Sequence, residues 1–273
     1  MDTNCLQFRW INASCYEFRL PDGRVITTDP YLDRGDTSFS AADMLTPDYV
    51  LITHTHFDHI VDLGALMHRN DSAKLFVSDV TAAALADYYG IKFGQVYAVD
   101  NGTRIEADGI GILPTKGKHS RFKNRDREDL KFMSAAPASE CGVHGQEQLM
   151  LQGSFIYTDY VITLPRNIRM FFTGGDMTFS VPYEIAKNEA PLIVVRQVSN
   201  LDSPEQYADI VARLGGKIVL PHHQEHPEKR LGMPMAEFTG RVNRRLGEIA
   251  PGMVMIDPKQ YKWYELSLGI AEL

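Results

Sequence analysis

The stretch DYVLITHTHFDHI, Asp48–Ile60, carries the decisive pattern. Its first half is a short run of apolar, β-branched and aromatic residues, as expected for a buried strand. Its second half places His54, His56, Asp58 and His59 within six positions directly after that run. On extended backbone, residues two apart point the same way, so His54 and His56 can reach one cation together. Asp58 and His59 begin the next turn and can face a second cation. Imidazole nitrogen and carboxylate oxygen are the donors expected for zinc, manganese or iron. Chance placement in a polar loop explains such a density of donors poorly.

The arrangement recurs further along the chain. His119 follows the strand-like IGILPTKGK. Asp176 follows IRMFFTGG, whose two glycines let the backbone turn tightly and approach a ligand closely. His222 and His223 follow KIVLP. A lone histidine carries little information, but donors at the ends of several strands form one consistent pattern.

Around these positions the chain reads as strands punctuated by helices. CLQFRWI, SCYEFRL and RVITTD read as strands, the last two joined by a Pro21-Asp22-Gly23 hairpin turn. KLFVS (74–78), QVYAV, TRIEA, IGILP, FIYTDYVITL, IRMFFTGGD, KIVLP and MVMID follow as further strands, with a tail closing the chain. Helices are expected over 79–90, with Asp79 or Thr81 near the N-cap and Gly90 as the stop, and over 203–216 and 234–250. Residues 116–148 are polar and lack a clear period, and a long loop or inserted, lid-like segment is expected over about 120–153. With no Pro- or Ser-rich linker, the expectation is one α/β domain over 1–273, built from two sheets and outer helices.

Composition narrows the class. The chain has 273 residues, 44% hydrophobic and 23% charged, which excludes a disordered chain, a coiled coil and a collagen-like fibre. No apolar run approaches the roughly 18 residues of a membrane span. The first twenty residues lack a basic start followed by an apolar stretch, so a secretory signal is not expected. The three cysteines, Cys5, Cys15 and Cys141, show no CxxC spacing, and a cytoplasmic setting fits them best. With 28 basic and 35 acidic residues the net charge is −7, so attraction of the whole molecule to nucleic acid is not expected.

Taken together, HxHxDH after an apolar strand, a later His, then G-G-D and P-x-H resemble the metallo-β-lactamase superfamily. DPYLD (29–33) resembles that family's first motif. The layout is most similar to the branch containing ascorbate-6-phosphate lactonase and N-acyl-phosphatidylethanolamine phospholipase D, over about residues 5–257. The resemblance implies a four-layer αββα sandwich of two mixed β-sheets, with two divalent metal ions at one edge, zinc or manganese first and iron as a further option. It implies that His54, His56 and His119 hold one ion, that Asp58, His59 and a late histidine hold the other, and that Asp176 bridges them. P-x-H selects His223 as the late ligand, with His222 as the alternative. Asp29 is implied as a buried carboxylate that orients the ligand loop.

The resemblance also implies a metal-dependent hydrolase, in which a hydroxide bridging the two cations attacks the carbonyl or phosphoryl centre of a lactone, amide or phosphodiester. Asp58 is its implied catalytic residue, orienting that nucleophile and passing a proton to the leaving group. No G-x-S-x-G elbow competes with this reading. Lys116, Lys118, Arg121, Lys123, Arg125 and Arg127 fall within twelve residues around His119. The run reads first as a solvated loop partly neutralised by Asp126, Glu128 and Asp129, and as the alternative it draws an anionic small-molecule substrate, with Arg121 or Lys123 as its contact. His144 could be an extra ligand, a substrate contact or without role, and the last is preferred. The alternatives are a nuclease, a di-iron redox protein and a non-catalytic metal-binding module. A homo-oligomer is compatible with all of them.

Overall fold

The computed structural model describes residues 5–33, 35–36, 38–119, 145–199 and 202–266. They form two seven-stranded mixed sheets. The first sheet contains β1 (Leu6–Asn12), β2 (Cys15–Arg19), β3 (Val25–Thr28), β4 (Tyr49–Leu51), β5 (Lys74–Ser78), β6 (Val96–Val99) and β14 (Tyr264–Leu266). The second contains β7 (Ile105–Ala107), β8 (Ile110–Lys116), β9 (Thr158–Leu164), β10 (Ile168–Thr173), β11 (Ile193–Gln197), β12 (Ile218–His222) and β13 (Val254–Met255). Strand order is β14-β1-β2-β3-β4-β5-β6 in one and β13-β12-β11-β10-β9-β8-β7 in the other.

The two sheets share one plan. From β14 to β3 the neighbours are antiparallel, and from β3 to β6 they are parallel. From β7 to β10 they are antiparallel, and from β10 to β13 they are parallel. Parallel neighbours need long crossovers. These supply the helices: α1 (Phe57–Ile60), α2 (Leu63–Met67), α3 (Asp79–Tyr89), α5 (Val181–Glu189), α6 (Pro204–Leu214) and α7 (Met235–Ile249), while α4 (Gly145–Phe155) precedes β9.

Side-chain alternation explains the layers. Along β4, Leu51 faces the second sheet while Val50 faces the helices. Along β10 and β11, Phe172 and Val195 face the first sheet, and Phe171 and Val194 face outward. The core between the sheets therefore draws Phe18, Ile26, Leu51 and Phe76 from one side and Ile112, Ile162, Phe172 and Leu220 from the other. Outside the first sheet, Val50, Ile52, Leu75 and Val77 are covered by Leu85 of α3 and Leu149 of α4. Outside the second, Val219 and Met255 are covered by Tyr207 and Val211 of α6 and Phe238, Val242 and Leu246 of α7. Burying each such side chain contributes roughly 1.5–3 kcal/mol. This is the expected αββα order.

Some expectations need correction. The part of the 120–153 segment from residue 145 onward is α4, not loop, and α4 runs past it to Phe155. Its period was weak because only Leu149 and Gly153 are buried. Consequently β9 begins at Thr158, not at Phe155. The tail after MVMID contains β14, which pairs with β1 at a sheet edge. The N-cap of α3 is Ser78, one residue before Asp79 and three before Thr81, and Gly90 takes the expected left-handed stop. The crossover α5 and strand β11 went unread. Among the described residues, no helix is long and apolar enough to cross a membrane.

Candidate metal centre

Every expected ligand that the structure describes lies where a strand ends. Asp29 follows β3, His54 to His59 follow β4, His119 follows β8, Asp176 follows β10, His222 ends β12 and His223 follows it. The carboxyl ends of parallel strands leave a crevice there, as in other open α/β sheets. The loops of the two sheets are also tied together, because the Thr158 amide donates to the Thr53 carbonyl at 2.8 Å.

The donors gather in two adjacent trios. The ligand atoms of His54, His56 and His119 all lie within 4.8 Å of one another, and so do those of Asp58, His59 and His223. The trios touch through His54 and His59, whose ring centroids are 3.9 Å apart. The histidines of the β4 loop and His223 are buried, whereas the Asp58 side chain is about one-third exposed, at 32%.

A metal-binding imidazole needs its far nitrogen held, so that the near nitrogen presents a lone pair. Four rings show this. Asp29, fully buried, accepts from the Thr53 amide at 2.7 Å and from His59 Nδ1 at 2.8 Å. Its Oδ2 also accepts the Thr53 hydroxyl proton at 2.7 Å. With that proton spent, Thr53 Oγ1 accepts from His54 Nδ1 at 3.0 Å. Ser154 of α4 donates its hydroxyl to the Met150 carbonyl at 3.2 Å and accepts from His56 Nε2 at 3.0 Å. Glu225 Oε1 accepts from His223 Nδ1 at 2.8 Å. The lone pairs left over are His54 Nε2, His56 Nδ1, His59 Nε2 and His223 Nε2. His54 Nε2 and His56 Nδ1 face each other at 3.1 Å, an arrangement one shared cation would relieve.

Charge supports the same assignment for His54 and His56. Burial, reinforced by the neighbouring histidines, pushes the pKa of His54 well down. Burial and then His119 push His56 down to about 3. Both rings are therefore neutral at ordinary pH, as cation ligands must be. Burial opposes the charge on Asp58, but His59, His223 and His56 outweigh it and lower its pKa. Burial likewise opposes a charged His59, yet Asp29 and Asp58 outweigh it and raise that pKa.

α4 also braces the ligand loop directly. Thr55 Oγ1 donates to the Leu149 carbonyl at 2.6 Å, and the Phe57 amide lies 3.0 Å from Met150 Sδ. Gly153 packs so tightly that a Cβ there would stand 2.7 Å from the His56 nitrogen. From the first sheet, the Ala13 carbonyl accepts from the His223 amide at 2.9 Å.

Two expected residues stand differently. His222 is fully buried with both ring nitrogens engaged: Nδ1 with Ser14 Oγ at 2.7 Å and Nε2 donating to the Thr173 carbonyl at 3.0 Å. It ties three strand ends together, and it is His223 that joins Asp58 and His59. Asp176 belongs to neither trio; its Oδ1 accepts from the Thr178 amide and hydroxyl at 2.9 and 2.7 Å. Arg121, Lys123 and His144 lie outside the described residues. Sequence reasoning missed Ser154 and Glu225. Only Glu225 carried a signal, an acid two positions beyond His223. Together with His223 and His226 it forms a further group within 4.8 Å.

Comparison with known proteins bears on the fold and the family. The beta-lactamase superfamily domain matches residues 24–136. The fold resembles that of a metallo hydrolase from Ignicoccus hospitalis, with a TM-score of 0.69, 20% identity, and coverage of 97% of this chain and 100% of that one. Fold and matched domain thus agree with the metallo-β-lactamase fold class. A UPF0173 metal-dependent hydrolase of Enterococcus faecalis is 37% identical over 215 residues, 77% of this chain and 82% of that protein. Another, from Saccharolobus solfataricus, is 28% identical over 184 residues, 66% of this chain and 79% of that protein. The chain belongs to this UPF0173 family of metal-dependent hydrolases.

Proposed function

We propose that the protein uses two divalent cations, zinc or manganese, to hydrolyse a small molecule at a carbonyl or phosphoryl centre. The observation that carries this reading is the pair of adjacent trios, in which His54, His56, His59 and His223 each have one ring nitrogen held and the other left toward the cluster. His54, His56 and His119 would hold one cation, Asp58, His59 and His223 the other, and Asp176 would reach both from the loop after β10. Bound there, the cations would bring the pKa of a coordinated water near neutrality and polarise the electrophile. The protein's own contribution is placement. Asp29 and Thr53 fix His59 and His54, Ser154 fixes His56, and Glu225 fixes His223. Asp58, the solvent-facing member of its trio, is placed to orient the attacking water and to pass its proton to the leaving group.

Within the superfamily we place the protein near the ascorbate-6-phosphate lactonase and N-acyl-phosphatidylethanolamine phospholipase D branch, on the layout of its motifs. The substrate classes to test are lactones, amides and phosphodiesters, anionic ones first, with Arg121 and Lys123 as proposed anion contacts. Because the donors come from both sheets, we read the chain as one domain, and because its three cysteines lack CxxC spacing, we read it as acting in the cytoplasm. The test is a panel of these substrates with metal-loaded wild type and Asp58→Ala. The expected result is hydrolysis of at least one class, reduced about 10²–10⁴-fold in the variant. Turnover equal in both would contradict the reading.

A further inference from the structure

What stands behind His54 and His56 in one trio differs from what stands behind His59 and His223 in the other. Behind His54 and His56 are hydroxyls, Thr53 Oγ1 and Ser154 Oγ, and no member of that trio is a carboxylate. The other trio contains the Asp58 carboxylate, and carboxylates also stand behind both of its histidines: Asp29 behind His59 and Glu225 behind His223, each at 2.8 Å. A carboxylate accepting an imidazole N–H makes that imidazole a stronger donor, and it neutralises cation charge where water is excluded.

Glu225 is committed to this arrangement. Its Oε2 is buried and makes no hydrogen bond among the described residues. Its other neighbour, His226, donates Nδ1–H to the Val198 carbonyl at 2.8 Å. His226 Nε2 stands 3.7 Å from Glu225 Oε1, too far for a hydrogen bond. Among the described residues, His223 is the ring that donates a hydrogen to this carboxylate.

We infer that the two cation sites are unequal: the Asp58–His59–His223 site fills first and binds more tightly, and Glu225 is the positioning residue that makes His223 a strong ligand. This inference rests on the two-cation reading above. A bridging Asp176 would serve both ions and leave the inequality standing.

Metal-free protein titrated with Co(II), in competition with a chromophoric chelator and followed by its visible absorption, tests this. Wild type should bind in two steps at least about tenfold apart in affinity. His223→Ala should abolish the tighter step. Glu225→Ala should weaken that step by about 10–100-fold. Glu225→Gln should weaken it less, because its amide oxygen still accepts from His223 Nδ1, and this rescue separates positioning from mere packing. Ser154→Ala should weaken only the second step. Two equal steps in wild type, or a tighter step unchanged in Glu225→Ala, would overturn the inference while leaving the two-cation reading intact. Wild type that takes up no Co(II) would overturn both.

Discussion

Asp29 and His223 both hold left-handed backbone conformations, with φ of 39° and 55°. Such conformations are costly for most residues, less so for Asp and His, and persist where the surroundings enforce them. Here the surroundings are ligand-side contacts: Asp29 holds Thr53 and His59, and the His223 amide is fixed to Ala13. A second buried acid, Asp159, sits nearby under different terms. Burial lifts its pKa to about 7, although Thr173 and the Gly174 amide donate to it. In the unfolded chain it ionises near 3.8. Between those values the folded state keeps a proton that the unfolded state has released, so stability falls as pH rises through this window and the contribution is gone above about pH 7. Asp159→Asn does not titrate. Urea unfolding of metal-free protein should therefore show wild type losing about 2–3 kcal/mol relative to the variant between pH 5 and 8. A difference independent of pH would mean that Asp159 is ionised throughout. At this scale the ligand-type residues were legible because HxHxDH is local and strand ends are visible as apolar runs that stop. The residues behind the ligands were not, since Ser154 lies 98 positions from His56 and only the fold makes them neighbours.

Among the elements, α4 shows how a helix can escape a reading of period and still govern the site. Its buried face is essentially Leu149 and Gly153, so its apolar stripe is too narrow to stand out. Gly153 looks like a helix weakness, worth about 1 kcal/mol relative to alanine. Its reason is proximity, for a Cβ would stand 2.7 Å from the His56 nitrogen and 2.9 Å from the Thr55 carbonyl carbon. Those are backbone atoms and cannot swing aside. Overpacking costs about 1–3 kcal/mol, which outweighs the propensity gain. Gly153→Ala should therefore unfold at lower urea than wild type and bind cations more weakly, and a variant more stable than wild type would show that the helix is free to shift. By contrast, α6 and α7 were legible because each buries a broad stripe on the second sheet, and α6 also has Ser203 as a capping-box N-cap.

For the whole molecule, the shared plan of the two sheets places the change from antiparallel to parallel pairing at β3 in one and at β10 in the other. Asp29 follows the first of these strands and Asp176 the second. The αββα order was legible from strand and helix alternation together with the motifs, whereas the edge strand β14 was not, being three residues long and only partly buried. Because the donors span both sheets, cations that bind only the folded chain should also stabilise it, by about 2.7 kcal/mol at a hundredfold excess over Kd. The central claim is that these sheets build two cation sites from two separate trios. Elemental analysis of protein equilibrated with zinc and freed of excess metal measures this directly. The account predicts two ions per chain for wild type and one for the His54→Ala, His56→Ala double variant. Fewer than two ions in wild type, or two retained in the double variant, would contradict it.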